Sequence, residues 1–161
     1  MTTTEIRDSK YPSTDLAYAF VQQSYAWMLG RLDSAESRIQ QLQAFAATLT
    51  FAAPVFIRSL RPQISTTSGW FYAALILFAV ILAVGVFARL SGVVKLPSLE
   101  KVRTGWLHLP EERFKQDAIF FAAQHFTHNR RMVNRKGNAA IIMTVGFGLE
   151  IGCFVAWWLI Q

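Results

Sequence analysis

Residues 70–88, WFYAALILFAVILAVGVFA, decide how the rest of the chain is read. These nineteen consecutive positions carry no charge, no proline and one glycine. Crossing a hydrocarbon layer ~30 Å thick takes about twenty apolar residues in a helix. A lone segment in lipid can satisfy its backbone hydrogen bonds only as a helix. A water-facing helix of this length would show a polar face, and this one has none. The stretch predicts a transmembrane helix.

Apolar segments flank it on both sides. Residues 139–160, AAIIMTVGFGLEIGCFVAWWLI, read as a span with Trp157 and Trp158 at its exit interface. The one charge in that span, Glu150, stands eleven residues in, near the bilayer midplane at about 1.5 Å of rise per residue. On the N-terminal side, residues 39–57 are uncharged and residues 44–57 densely apolar, with many Ala and Thr. Small side chains let helices approach closely in lipid. Pro54 predicts a kink toward the far end. The fold class expected is all-α: an integral membrane helical bundle of three transmembrane helices, over about 42–58, 70–88 and 139–160, with cytoplasmic helical extensions.

The extensions are legible as periodicity. Val21, Tyr25, Met28, Leu32, Ala35, Ile39, Leu42, Ala46 and Leu49 recur at alternating steps of four and three. This is a coiled-coil stripe, and it predicts an amphipathic cytoplasmic helix over residues 16–43 running on into the first span. The stripe suits packing on the chain's own helices, or self-association into an oligomer. Residues 58–69 read as a short polar hairpin loop, with Pro62. After residue 88 comes a loop broken at Pro97. Pro110, Glu111 and Glu112 then open a helical segment over 110–136, with the acids near its positive dipole end. Residues 1–15 are polar, lack the apolar core of a secretory signal, and read as a disordered tail. The membrane domain therefore covers residues 44–160.

Charge placement sets the orientation. The chain is 53% hydrophobic and 16% charged, with a formal net charge of +6. Residues 89–138 hold ten Lys or Arg against four acids, which accounts for the whole excess. With three spans, fourteen of the sixteen basic residues fall on one side, and Arg58 and Arg61 on the other. By the positive-inside rule the N-terminus is cytoplasmic and the C-terminus outside, in a multi-pass membrane protein.

Catalytic signatures are missing from the sequence. It has no glycine-rich phosphate loop followed by Lys-Ser/Thr, no His-Glu-x-x-His pair and no nucleophile elbow. Gly146-Phe147-Gly148 begins a dinucleotide fingerprint, but Ile151 holds the place of its third glycine. His125 and His128 lie three apart with His108 upstream, too few for a stable metal site of three or four ligands. The expectation is a non-enzyme with no catalytic residue, cofactor or metal. A membrane-tethered enzyme would have to be built from these histidines with Glu111, Glu112 and Asp117. Cys153 is the one cysteine, so no intrachain disulfide forms.

Two places are candidates for ligand or partner contact. The run holding Arg130, Arg131, Arg135 and Lys136 suits topology control and anionic lipid. It also suits a phosphate-bearing ligand such as a nucleotide, gripped by Arg forks. Nucleic acid is the weakest fit, because no aromatic residues interleave the charges. The last span is the other place. A carboxylate at midplane costs roughly 2.5 to 3.5 kcal/mol on insertion scales, so Glu150 should face protein or water. It is read either as a pore-lining or proton-titrating group, or as the partner of a Thr or Arg on a neighbouring helix, Arg58 being one candidate. Gly146, Glu150 and Cys153 share one edge. Thr144, Gly148, Gly152 and Ala156 form a small-residue ladder on another, the pattern of close helix–helix contact.

Two stretches, RLDSAESRIQQLQAFAATLTFAAPVF and FTHNRRMVNRKGNAAIIMTVGFGLEIGCFVAWW, each run a charged helix straight into a span. In this the chain resembles small bacterial anti-phage transmembrane effectors of Pycsar type, with CBASS-associated membrane effectors as cousins. Those effectors tend to carry an Asp-x-Lys-Ala run before the first span. Asp33 and Ser34 match it, while Ala35 and Glu36 stand where the Lys and Ala would be. The resemblance implies an effector that self-associates on an infection signal and impairs the inner membrane, with a cyclic nucleotide as candidate ligand. The expected partners are the lipid bilayer and further copies of the chain, and no nucleic acid. The alternative is an accessory or assembly subunit of a larger membrane complex, without a pore of its own.

Overall fold

In a computed structural model of the chain, residues 13–65, 68–92, 94–96, 98, 100 and 102–160 are described. The described residues form three long helices and no strand: α1 (Thr14–Leu60), α2 (Gly69–Leu90) and α3 (Glu111–Ile160), with one π-helical turn at Val102–Trp106 before α3. Each long helix contains a segment long and apolar enough to cross a membrane. Most of the tail expected over 1–15 lies outside the described residues, as does Pro97; α1 already begins at Thr14.

Local chemistry explains the ends. The Ser13 carbonyl accepts the Ala17 N–H at 2.9 Å, and Asp15 sits in the first turn of α1. Pro54 lies inside α1 without ending it. Ser68 precedes α2 in an extended conformation, and its carbonyl accepts from Phe71 and Tyr72. Gly92, just past α2, has φ +109°, a left-handed conformation that favours glycine. A Cβ at Gly92 would also lie 2.8 Å from Met132 Cε. The Pro110 carbonyl accepts the Phe114 N–H, so proline caps α3 from just outside, ahead of Glu111 and Glu112. The segments expected separately over 110–136 and 139–160 are one helix. Gly137 and Asn138 cost helix propensity, but neither removes a backbone donor, so the ladder continues through them.

The chain divides into two compact units: Met1–Leu29 with Val94–Arg130, and Gly30–Val93 with Arg131–Gln161. Residues 30–43 therefore group with the spans. In the first unit, Tyr18 meets Phe114 edge-on, Trp106 packs against Phe114 and Phe121, and Lys115 bridges Asp15 at 2.7 Å and Glu111 at 2.5 Å. Those acids hold the Lys115 ammonium well above the ordinary lysine range.

The second unit is a three-helix bundle with two apolar clusters. Ile39 and Ala46 of α1, Ile81 and Ala88 of α2, and Ala140 and Met143 of α3 form one. Ile57, Ile64, Ala74, Phe154 and Trp157 form the other. The order of these residues makes α1 and α3 parallel and α2 antiparallel to both. From Ile39 to Ile57, α1 rises about 27 Å, close to the depth of a hydrocarbon layer. The bundle's outer surface is apolar as well: Phe45, Phe51, Ile76, Phe87, Ile141 and Val145 are all exposed, Phe87 by 73%. In water such a surface would drive aggregation, whereas lipid covers it without cost.

Every residue of the α1 stripe, from Val21 to Leu49, is buried or half-buried within the chain. The coiled-coil periodicity is thus satisfied internally. α3 answers with its own four–three series: Val133, Lys136, Ala140, Met143 and, beyond half-buried Phe147, Glu150, Phe154 and Trp157 are all buried.

Candidate functional site

The polar members of that buried series mark the site. Lys136, Met143, Glu150 and Trp157 are seven residues apart, one heptad position of α3, and all are buried. On α1 the matching positions are Glu36, Gln43, Thr50 and Ile57. Lys136 Nζ bonds Glu36 Oε1 at 2.5 Å, and Thr50 Oγ1 donates to Glu150 Oε1. Both pairs are 100 residues apart in sequence, so the register of α1 on α3 is constant between them. A polar residue at a buried heptad position fixes register at some cost in stability.

Glu150 is 0% exposed, and its Oε2 has no hydrogen-bond partner among the described residues. The Glu150–Thr50 pair lies between the two apolar clusters, along α1 between Ala46 and Ile57 and along α3 between Met143 and Phe154. Its neighbours offer no countercharge. No Lys, Arg, Asp or Glu occurs between Arg38 and Arg58 of α1, from 69 to 88 of α2, or between Lys136 and Glu150 and onward to 161. Of the two partners considered for Glu150, the structure supplies the threonine. Arg58 is exposed and eight residues past Thr50, about 12 Å further along the helix. Removing the Thr50 hydroxyl would strand the carboxyl altogether.

Gln43 reaches into the same bundle. Its side chain lies over Gly85, the one glycine of the central span, so closely that a Cβ there would fall 2.7 Å from Gln43 Cδ. The glycine makes room for an amide that a larger residue would expel. Gly146 similarly faces Ile81, with Cγ1 3.2 Å from a built Cβ.

The other edge of α3 is open. Among the described residues nothing lies within 4 Å of a Cβ built at Gly148 or Gly152, and Thr144 is exposed beside them. Gly146 and Cys153 are half-buried on the edge that carries buried Glu150; of the small-residue ladder, Ala156 is half-buried while Gly148 and Gly152 face open space among the described residues.

The basic run is split in role. Arg130, Arg131 and Arg135 are exposed, whereas Lys136 is 6% exposed and committed to Glu36. The Lys136 ammonium links α3 to Glu36 of α1, which leaves Arg130, Arg131 and Arg135 as the exposed part of the run. The heptad spacing of Lys136 from Glu150 was the available signal. In the first unit the missed residue is Asn129, fully buried, which receives the Lys95 N–H at 2.9 Å and donates to the Lys95 carbonyl at 3.0 Å. It also donates to Tyr25 Oη, whose own hydroxyl reaches the Ala122 carbonyl; burial pushes the Tyr25 phenol up, against the lowering effect of Asn129. His125 stacks edge-on against Phe121, and among the described residues no three metal-binding side chains converge. At the end of the last span Trp157 is buried within the bundle, its indole N–H donating to the Ser65 carbonyl, while Trp158 is exposed.

No protein-family model, no curated protein and no solved structure matches the chain.

Proposed function

We propose that this chain is a bacterial inner-membrane effector that acts by associating with further copies of itself within the bilayer and impairing it. The observation that carries this reading is the unoccupied Gly148–Gly152 edge of α3, in a bundle whose coiled-coil stripe is already used up internally. In lipid, apolar side chains gain little by meeting each other, so close backbone approach across small residues is what favours association. An exposed small-xxx-small ladder supports a second α3 at that edge. Anti-phage defence, with a nucleotide signal, is the setting implied by the Pycsar-like architecture. The exposed Arg131 and Arg135, one turn apart, are the proposed receivers of that signal, without Lys136. The N-terminus and the basic end of the bundle lie in the cytoplasm and the C-terminus outside, as the charge asymmetry favours.

The test is Gly148→Leu with Gly152→Leu. Both sites have open space, so the monomer accommodates the change. Wild-type protein in nanodiscs should give multimers by native mass spectrometry and should depolarise the host membrane when overexpressed. The double variant should be monomeric and silent. A monomeric wild type that still depolarises would overturn the reading, and a stoichiometric foreign partner at this edge would favour the accessory subunit.

A further inference from the structure

A groove at the far end of the bundle, lined by α1 and α3, has the chemistry and length of a phospholipid site. It encloses about 260 Å³ between Leu49, Ala53 and Leu60 on one wall and Ile151, Val155 and Trp158 on the other. Every lining side chain is apolar. From Leu49 to Leu60 the α1 wall rises about 16 Å, which is close to half of a ~30 Å hydrocarbon layer. The groove thus begins near the level of Glu150 and ends one residue short of Arg61.

Arg61 forms its rim. The guanidinium lies over the Trp158 ring, with Cζ 5.8 Å from the centroid, and one N–H reaches the Trp158 carbonyl at 3.4 Å. Both contacts fix the head at the mouth of the groove while it stays exposed. A guanidinium has five N–H donors, so most are left for a phosphate. No acid can neutralise it locally, because the sequence has no Asp or Glu between Glu36 and Glu100, or after Glu150. Arg58 sits at the same end but roughly half a turn of helix away from the groove-lining face.

We infer that this groove holds one acyl chain of an anionic phospholipid, with its phosphate on Arg61. The inference rests on residues 42–58 and 139–160 lying in a bilayer, but it is independent of self-association. Head and tail are recognised separately, which makes them separable by mutation. Arg61→Gln should remove the preference for an anionic head, and Ala53→Trp should fill the groove against any tail.

Native mass spectrometry of the full chain in detergent, offered equal phosphatidylglycerol and phosphatidylcholine of one acyl composition, reads both. Wild type should retain phosphatidylglycerol about fivefold over phosphatidylcholine, the ratio expected from one basic residue near a membrane surface. Arg61→Gln should bring that ratio to about one, Arg58→Gln should leave it near the wild-type value, and Ala53→Trp should lose both lipids. Equal retention of the two lipids by wild type, or an unchanged ratio in Arg61→Gln, overturns the inference. If Ala53→Trp fails to fold by circular dichroism, Val155→Trp on the opposite wall replaces it. Carbonate extraction separates the readings: a chain released from membranes refutes the membrane placement, while a retained chain without lipid preference refutes only the groove.

Discussion

Thr50 and Glu150 form a polar pair whose worth depends on the apolar layers above and below it. With Oε2 already unpartnered, the Thr50 hydroxyl gives the carboxyl its single hydrogen bond among the described residues. Thr50→Val keeps the shape and removes that donor, so it should destabilise the bundle by about 1–3 kcal/mol. In a Glu150→Met background the same change should cost almost nothing, since no carboxyl is then left stranded. Denaturant unfolding of the four proteins in micelles gives the coupling, and additive effects would show that the pair is not acting as a unit. A carboxylate with no basic neighbour in the sequence was recognisable in advance as a group needing protein around it. That the partner is Thr50 was not, because the first span holds two threonines, Thr48 and Thr50, and only the register of α1 on α3 selects between them.

Helix pairing was the better part of the sequence record on α1 and the poorer on α3. On α1 the stripe is apolar throughout, so its period is plain. On α3 the same period runs through Lys136 and Glu150, and hydrophobicity-based reading discards polar residues at the positions that matter most. The ion pair at Lys136 predicts an asymmetry between its partners. Lys136 is buried and Glu36 part-exposed, with side-chain exposures of 8% and 42%. Removing the acid leaves a buried, unpaired ammonium, whereas removing the base leaves a carboxylate that water can reach. Glu36→Ala should therefore cost about 3 kcal/mol and Lys136→Met under about 1 kcal/mol, by the same unfolding measurement. Equal losses would mean that the ammonium reaches solvent once Glu36 is gone. The glycines sort by the same geometry. Gly85→Leu must expel Gln43 and should cost about 1–3 kcal/mol, while Gly152→Leu should leave monomer stability within about 0.5 kcal/mol.

At the scale of the molecule, the three-helix unit is polarised along its axis. Ile39, Ala88 and Ala140 share one cluster, so the ends of the helices beyond them lie at the same end of the bundle. That end carries Arg31, Arg38, Arg89, Arg131, Arg135 and Lys136 against Asp33 and Glu36. The opposite end carries Arg58 and Arg61 with no acid. Moving the rich end across an energised membrane is disfavoured far more than moving the poor end, because orientation follows Lys and Arg near span ends and acids contribute little. Fusions should report this directly. A fluorescent protein at the N-terminus should fluoresce, alkaline phosphatase joined after Gly92 should be inactive, and the same enzyme joined after Gln161 should be active. Removing Arg58 and Arg61 should leave that pattern intact, since it widens the asymmetry. Removing Arg89, Arg131 and Arg135 together should weaken the pattern, with phosphatase activity appearing after Gly92. If phosphatase is active after Gly92 in the unaltered chain, the orientation is inverted, and Arg131 and Arg135 would then face away from any cytoplasmic signal.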